Sequence, residues 1–251
     1  MRLTRWLATA LLLAGTAVAK PGPVRAEEIP VDLELVLAVD MSGSIDREEA
    51  TLQRQGYLAA LVHPKVIDAI RSGPSGRIAV IYVEWAGERY QRTVVDWGLI
   101  DGEQSAQTFA AALAAAPILT ERWTSISAGI DYAVGMLENN DFVGARRVID
   151  VSGDGYNNSG RPVTAARDEA VAKGVTINGL PILNDKPGPG GWPPAADLDK
   201  YYEANVIGGP GAFIVPAESF ETFAQAILSK MILEIAQPDG TGRQRYAAAD
   251  R

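Results

Sequence analysis

From Glu34 the chain runs through Leu35, Val36, Leu37, Ala38 and Val39 without a polar interruption. It then places Asp40, Ser42 and Ser44 close together and turns into a helix. An unbroken apolar run of this kind reads as a strand buried on both faces, as in a parallel sheet covered by helices. Asp46 has the chemistry of an N-cap, and Glu49 three residues on completes a capping-box signature. Three oxygen donors therefore sit on a short strand-to-helix turn at the carboxyl end of a buried strand. Open α/β sheets bind their ligands at that end.

The rest of the chain repeats the alternation. Strands are expected at 32–39, 77–85, 90–97, 147–152 and 175–183, with a last short one at 212–215. Helices are expected at 46–62, 66–70, 103–116, from Thr124 or Ser125 onward, 162–173, 197–206 and 219–235. The last of these has an apolar face of Phe220, Phe223, Ala224, Ile227, Leu228, Met231 and Ile232. Ala86-Gly87-Glu88 makes a hairpin, and Gln91, Thr93 and Asp96 alternate along the next strand as an edge strand does. The expected fold class is α/β: a doubly wound, mostly parallel central sheet flanked by helices, Rossmann-like, with one antiparallel edge strand.

Tracing the chain through this topology brings three separated segments to one end of the sheet. Asp40, Ser42 and Ser44 end the first strand, Thr124 lies in the loop before a descending helix, and Asp154 ends the fourth strand. Asp150, four residues earlier, is a competing carboxylate in mid-strand. Two carboxylates and three hydroxyls, without His or Cys, form a hard oxygen donor set of low charge. Such a set suits Mg²⁺, with Mn²⁺ or Ca²⁺ as alternatives. Neutral hydroxyl ligands leave the cation much of its charge, so it can accept a carboxylate from a partner.

Asp40-Met41-Ser42-Gly43-Ser44 matches the D-x-S-x-S signature of the von Willebrand factor A (vWA) domain, and Thr124 and Asp154 resemble the other two elements of that family's metal-ion-dependent adhesion site (MIDAS). The resemblance spans nearly all of the chain from Val31 to Ile235 and extends to exported bacterial vWA-like proteins of unknown function. It implies that Ser42, Ser44 and Thr124 offer hydroxyl oxygens to a metal, which Asp40 and Asp154 bind directly or through water. Two positions depart from the pattern. Gly153 stands where many members have Thr, and the bulky Trp123 precedes Thr124 where a small residue is common.

Trp85, Trp123 and Trp192 fall on loops at the same end, with Trp85 better explained by packing. Trp123, Asn157 and Trp192 are candidates for a rim that touches the ligand. The blander readings are specific. Asp and Ser cap turns routinely, Thr124 is placed to be an N-cap, Asn157 and Asn158 suit a turn, and His63 suits a helix end on the surface.

Arg2 and Arg5 precede an apolar run from Trp6 to Ala19, which reads as a secretory signal peptide cleaved after Ala19 or Ala26. The expected organisation is a signal and lead-in over 1–26, one vWA-like domain over 31–236, and a disordered tail over 237–251. Cleavage after Ala19 removes Arg2 and Arg5 from the 23 basic residues, leaving 21 against 31 acidic ones and a net charge of −10. That balance argues against nucleic acid and anionic membranes as partners, and no later stretch reads as a membrane span. The oligomeric state has no signature in the sequence. With no Cys, no second His, no G-x-S-x-G elbow and no phosphate loop, the chain reads as a non-enzymatic, exported binding module, periplasmic or secreted. The competing readings are a metal-assisted hydrolase and a metal-independent cell-envelope assembly factor.

Overall fold

The computed structural model describes residues 28–184, 191 and 193–236. The expected signal segment, the tail and Trp192 lie outside the described residues. The elements run β1 (Ile29–Asp40), α1 (Arg47–Leu61), α2 (Pro64–Arg71), β2 (Ile78–Trp85), β3 (Gln91–Ile100), α3 (Glu103–Ala115), α4 (Ile126–Glu138), β4 (Phe142–Gly153), α5 (Val163–Ala172), β5 (Thr176–Pro181), α6 (Leu198–Tyr201) with a π-helical turn Tyr202–Val206, and α7 (Phe223–Ala236). The five strands form one sheet in the order β3-β2-β1-β4-β5. Every pairing is parallel except β2 with β3, so β3 is the antiparallel edge that the polar alternation predicts.

β1 is central because both its faces are apolar. Leu33, Leu35, Leu37 and Val39 pack on one side with Tyr57, Ile67, Phe109, Phe223 and Ile227. Val36 and Ala38 pack on the other with Trp85, Ile126, Ile130 and Ile177. The side chains alternate faces along the strand, as a period of two requires. Trp85 is fully buried at the end of β2, which settles it as core. Gly129 on α4 lies so close that a Cβ there would stand 2.8 Å from the Trp85 ring.

Three elements differ from expectation, each for a local reason. β4 begins at Phe142, because its first half pairs with the start of β1 while alternating with half-exposed and exposed positions around Gly144, which hides it as an apolar run. The segment at 212–215 follows β5 only through single bridges, Gly179 with Ile214 and Ile182 with Ala217. Pro216 between them has no N–H to continue a ladder. α7 starts at Phe223, since Ser219 and Thr222 bond each other in a preceding turn. The buried stripe of α7 is also different. Phe223, Ala226, Ile227, Lys230, Met231 and Glu234 face the sheet, whereas Ala224 is exposed and Leu228 and Ile232 are half-buried. Lys230 and Glu234 enter the core because they find each other and Asp150 there.

Candidate metal centre

The turn after β1 is fixed by its own polar atoms. Asp40 Oδ1 accepts from the Ser42 backbone N–H at 2.7 Å, and Gln53 of α1 holds the Asp40 carbonyl at 3.0 Å. Asp46 and Glu49 form the expected capping box, so α1 is capped without Ser42 or Ser44. Those two hydroxyls lie 3.1 Å apart, and Ser44 Oγ donates to Asp154 Oδ1 at 2.6 Å. A chain of oxygens thus joins the ends of β1 and β4, two segments separated by 110 positions.

Thr124 is brought to the same place by the loop before α4. Glu121 N–H donates to the Met41 carbonyl at 2.9 Å and Ser125 N–H to the Ala86 carbonyl at 2.7 Å. Thr124 N–H donates to Asn158 Oδ1 at 2.8 Å, and the Asn158 N–H returns to the Thr124 carbonyl at 2.8 Å. The N-cap of α4 is Ser125, whose Oγ accepts from Ala128 N–H. The Thr124 hydroxyl is therefore free of capping duty. It lies 3.7 Å from where a Cβ on Gly155 would stand, beside Asp154.

Asn157 is engaged within this loop: its Oδ1 accepts from Ser127 N–H and its Nδ2 donates to the Arg161 carbonyl. Asn158 is a turn former that also sets Thr124. Trp123 is 66% exposed beside the site. His63 caps α2, its Nδ1 accepting from Lys65 N–H, and takes no part here.

The electrostatics of the pair are unbalanced. Asp40 is fully buried, and Asp154 is 9% exposed. Burial first, and then the Asp154 carboxylate, push Asp40 well above the usual carboxylate range. Burial raises Asp154 to about 6, against the Ser44 hydrogen bond that lowers it. Asp40 Oδ2 has no hydrogen-bond partner among the described residues. A second buried atom without one, Tyr202 Oη, points at the same spot. A Cβ on Gly153 would stand 2.8 Å from Asp40 Oδ2 and 2.9 Å from Tyr202 Oη, so only glycine leaves room for both. Burial and the two aspartates raise the Tyr202 phenol pKa, which keeps it protonated and able to donate.

Sequence reasoning missed Tyr202, Gln53 and the role of Asn158. Only the π-helical turn at Tyr202–Val206 hints at a special position, and it is not visible without coordinates. Among the described residues no group of three or more His, Cys, Asp or Glu is placed to hold a metal. The set at this site is of another kind, two carboxylates with three hydroxyls. Its hard oxygens and one orphaned carboxylate oxygen fit a hydrated divalent cation.

The sheet order and helix layers are those of a vWA-like, Rossmann-like fold, and solved structures match accordingly. The pilus adhesin SpaC of Lactobacillus rhamnosus GG in an open conformation has a TM-score of 0.59 at 16% identity, covering 83% of this chain and 30% of its own. Proximal thread matrix protein 1 from the mussel byssus has a TM-score of 0.58 at 15% identity, covering 84% of this chain and 49% of its own. A von Willebrand factor type A protein of Catenulispora acidiphila has a TM-score of 0.54 at 15% identity, covering 82% of this chain and 42% of its own. Another structure of the mussel protein is described with a zinc-occupied MIDAS motif. At these identities the likeness concerns the fold, and the chain spans about half or less of the length of these proteins. A search of curated proteins found no match. The family model described as "Protein of unknown function (DUF1194)" matches residues 30–239, and the chain belongs to that family.

Proposed function

We propose that this protein is an exported vWA-like binding module that holds a divalent cation, Mg²⁺ in the first instance, and uses it to take a carboxylate from a protein partner. Ser42, Ser44 and Thr124 would supply hydroxyl oxygens, with Asp40 and Asp154 bound directly or through water. One observation carries the reading. Asp40 and Asp154 are buried together with hydroxyls around them, and among the described residues no basic side chain is hydrogen-bonded or ion-paired to either. An external cation offsets their repulsion and gives Asp40 Oδ2 a partner.

The role is recognition rather than turnover. The lone histidine caps α2, at the far end of α1 from the site, so no imidazole is at hand for proton transfer. Export rests on the Arg2, Arg5 and 6–19 pattern. The fold of an adhesin and a matrix protein supports a binding role by analogy alone.

The test is thermal unfolding of chelator-stripped protein with added MgCl₂. A ligand at 100 times its Kd adds about 2.7 kcal/mol, or roughly 5–10 °C for a domain of this size. Asp40→Ala should abolish the shift, and EDTA should reverse it. An unchanged melting temperature in saturating Mg²⁺ or Mn²⁺ contradicts the reading. A pull-down from envelope extract with and without chelator then identifies the partner.

A further inference from the structure

Trp123 combines two features that seldom occur together. It is the most exposed large apolar side chain among the described residues, at 66%, and its backbone is left-handed, with φ at +68°. A bulky residue in that region is an outlier that persists only where its surroundings force it. The neighbouring loops supply the force. Glu121 is tied to Met41, Thr124 to Asn158 and Ser125 to Ala86, so three loops clamp the residues on either side. The backbone of the β2–β3 hairpin passes beneath: a Cβ on Gly87 would stand 3.1 Å from Trp123 Cβ. Glycine would fit φ +68° without strain, yet the chain places an indole there. The indole makes no ring contact with any described residue that would account for it.

The loops of the site carry other exposed apolar side chains. Among the described residues six large hydrophobic side chains are exposed, and three of them, Leu119, Trp123 and Tyr156, lie on the two loops that deliver Thr124 and Asp154. The charges on the surrounding loops are mixed, with exposed Asp46, Glu48, Glu88 and Glu121 beside exposed Arg47, Arg89 and Arg122. A polyanion would meet those acids and a whole chain of net charge −8. A polypeptide brings one carboxylate to the cation with neutral or basic neighbours.

Resting on the cation-dependent reading above, we infer that Trp123 is a strained anchor for a polypeptide partner whose metal-bound Asp or Glu lies within about three residues of a large apolar side chain. The acid reaches the ion and the apolar side chain packs on the indole. Buried aromatic anchors of this kind dominate interface energies.

The experiment uses the purified full-length protein, Trp123→Gly and Trp123→Ala. Trp123→Gly should melt at or above the parent temperature and bind Mg²⁺ with unchanged Kd. A random dodecapeptide display library is then panned on the parent in Mg²⁺ and eluted with EDTA. The recovered peptides should carry the acid-plus-apolar pairing and bind both variants at least tenfold more weakly. A lower melting temperature for Trp123→Gly would make the indole a structural plug and overturn the inference. So would recovered peptides that bind the variants unchanged, or that lack the apolar residue, while Mg²⁺ binding stands. Tight Mg²⁺-dependent binding of polygalacturonate, lost in Trp123→Ala, would overturn the polypeptide assignment. If the parent shows no Mg²⁺ shift and yields no EDTA-eluted peptide, the cation reading falls and the anchor with it.

Discussion

Two groups of buried acids lie on β4 and its surroundings, and they are neutralised in opposite ways. Beneath α7, Asp150 and Glu234 both contact Lys230, at 2.5 Å in the case of Asp150, and all three side chains are fully buried. At the carboxyl end of the sheet, Asp40 and Asp154 have serine hydroxyls and backbone N–H groups but, among the described residues, no basic side chain paired with them. The remaining buried acids follow the first pattern or are satisfied by neutral donors. Glu84 pairs with Arg54 and Arg92. Glu34 receives Asn140 and the Gly144 N–H, and Glu49 receives Asn184 and the Asp46 N–H. Among the described residues the other buried acids are matched by a basic side chain or neutral donors, and the pair without a basic partner is the one where the proposed cation would sit.

The contrast breaks most visibly at Lys230. Lys230→Met leaves Asp150 and Glu234 buried without a counter-charge, and removing one partner of a buried pair costs about 3–5 kcal/mol. Urea unfolding should register that loss in Mg²⁺ and in EDTA alike. A loss that Mg²⁺ restores would mean that the two groups are not independent.

Asp154→Asn is the matching change at the other group and should have the opposite sign. In EDTA at pH 7.5 it removes a charge whose pKa is raised to about 6, while Ser44 still finds an acceptor. Stability should rise by on the order of 1–2 kcal/mol, and the gain from Mg²⁺ should disappear. Loss of stability in EDTA would show that the carboxylate is held by something in the protein itself.

The pH dependence sharpens the same point. Burial raises the pKa of Asp150 to about 7 and of Asp154 to about 6, and Asp40 is raised also. A raised acid binds its proton more tightly in the folded state, so its contribution is full below about pH 4 and lost as pH climbs through the folded value. Without metal, melting temperature should therefore fall between pH 4 and pH 7. Mg²⁺ at the proposed site would compete with protons at Asp40 and Asp154, so its stabilising shift should be smaller at pH 5 than at pH 7.5. A Mg²⁺ shift of equal size at both pH values would remove these aspartates from the site.

Tyr202→Phe is the smallest effect. Its phenol has no partner among the described residues, so stability should change by less than about 0.5 kcal/mol. Mg²⁺ affinity, read by calorimetry, should weaken several-fold if the phenol orients Asp40 Oδ2, as outer partners of metal ligands do. Unchanged affinity would leave the tyrosine as packing.

How far all this was legible in the sequence depends on range. The apolar run into Asp40, the Asp46–Glu49 capping box and the edge character of β3 are local patterns, and they appear as read. The meeting of Ser44 with Asp154 followed from strand direction alone. Tyr202 was invisible because an aromatic residue in a short amphipathic stretch looks like any core residue. Lys230 and Glu234, four apart on α7, were not singled out, since nothing local announces that Asp150 waits across the interface. The strain at Trp123 needed backbone angles, which no residue pattern supplies.

The central claim is that the open acid pair accepts a foreign divalent ion. Anomalous diffraction from crystals grown in MnCl₂ tests it directly. The account predicts one strong peak among Ser42, Ser44, Thr124 and Asp154, absent in Asp154→Asn crystals. A peak beside Asp150 instead, or none in a lattice that leaves this end of the sheet open, would contradict it.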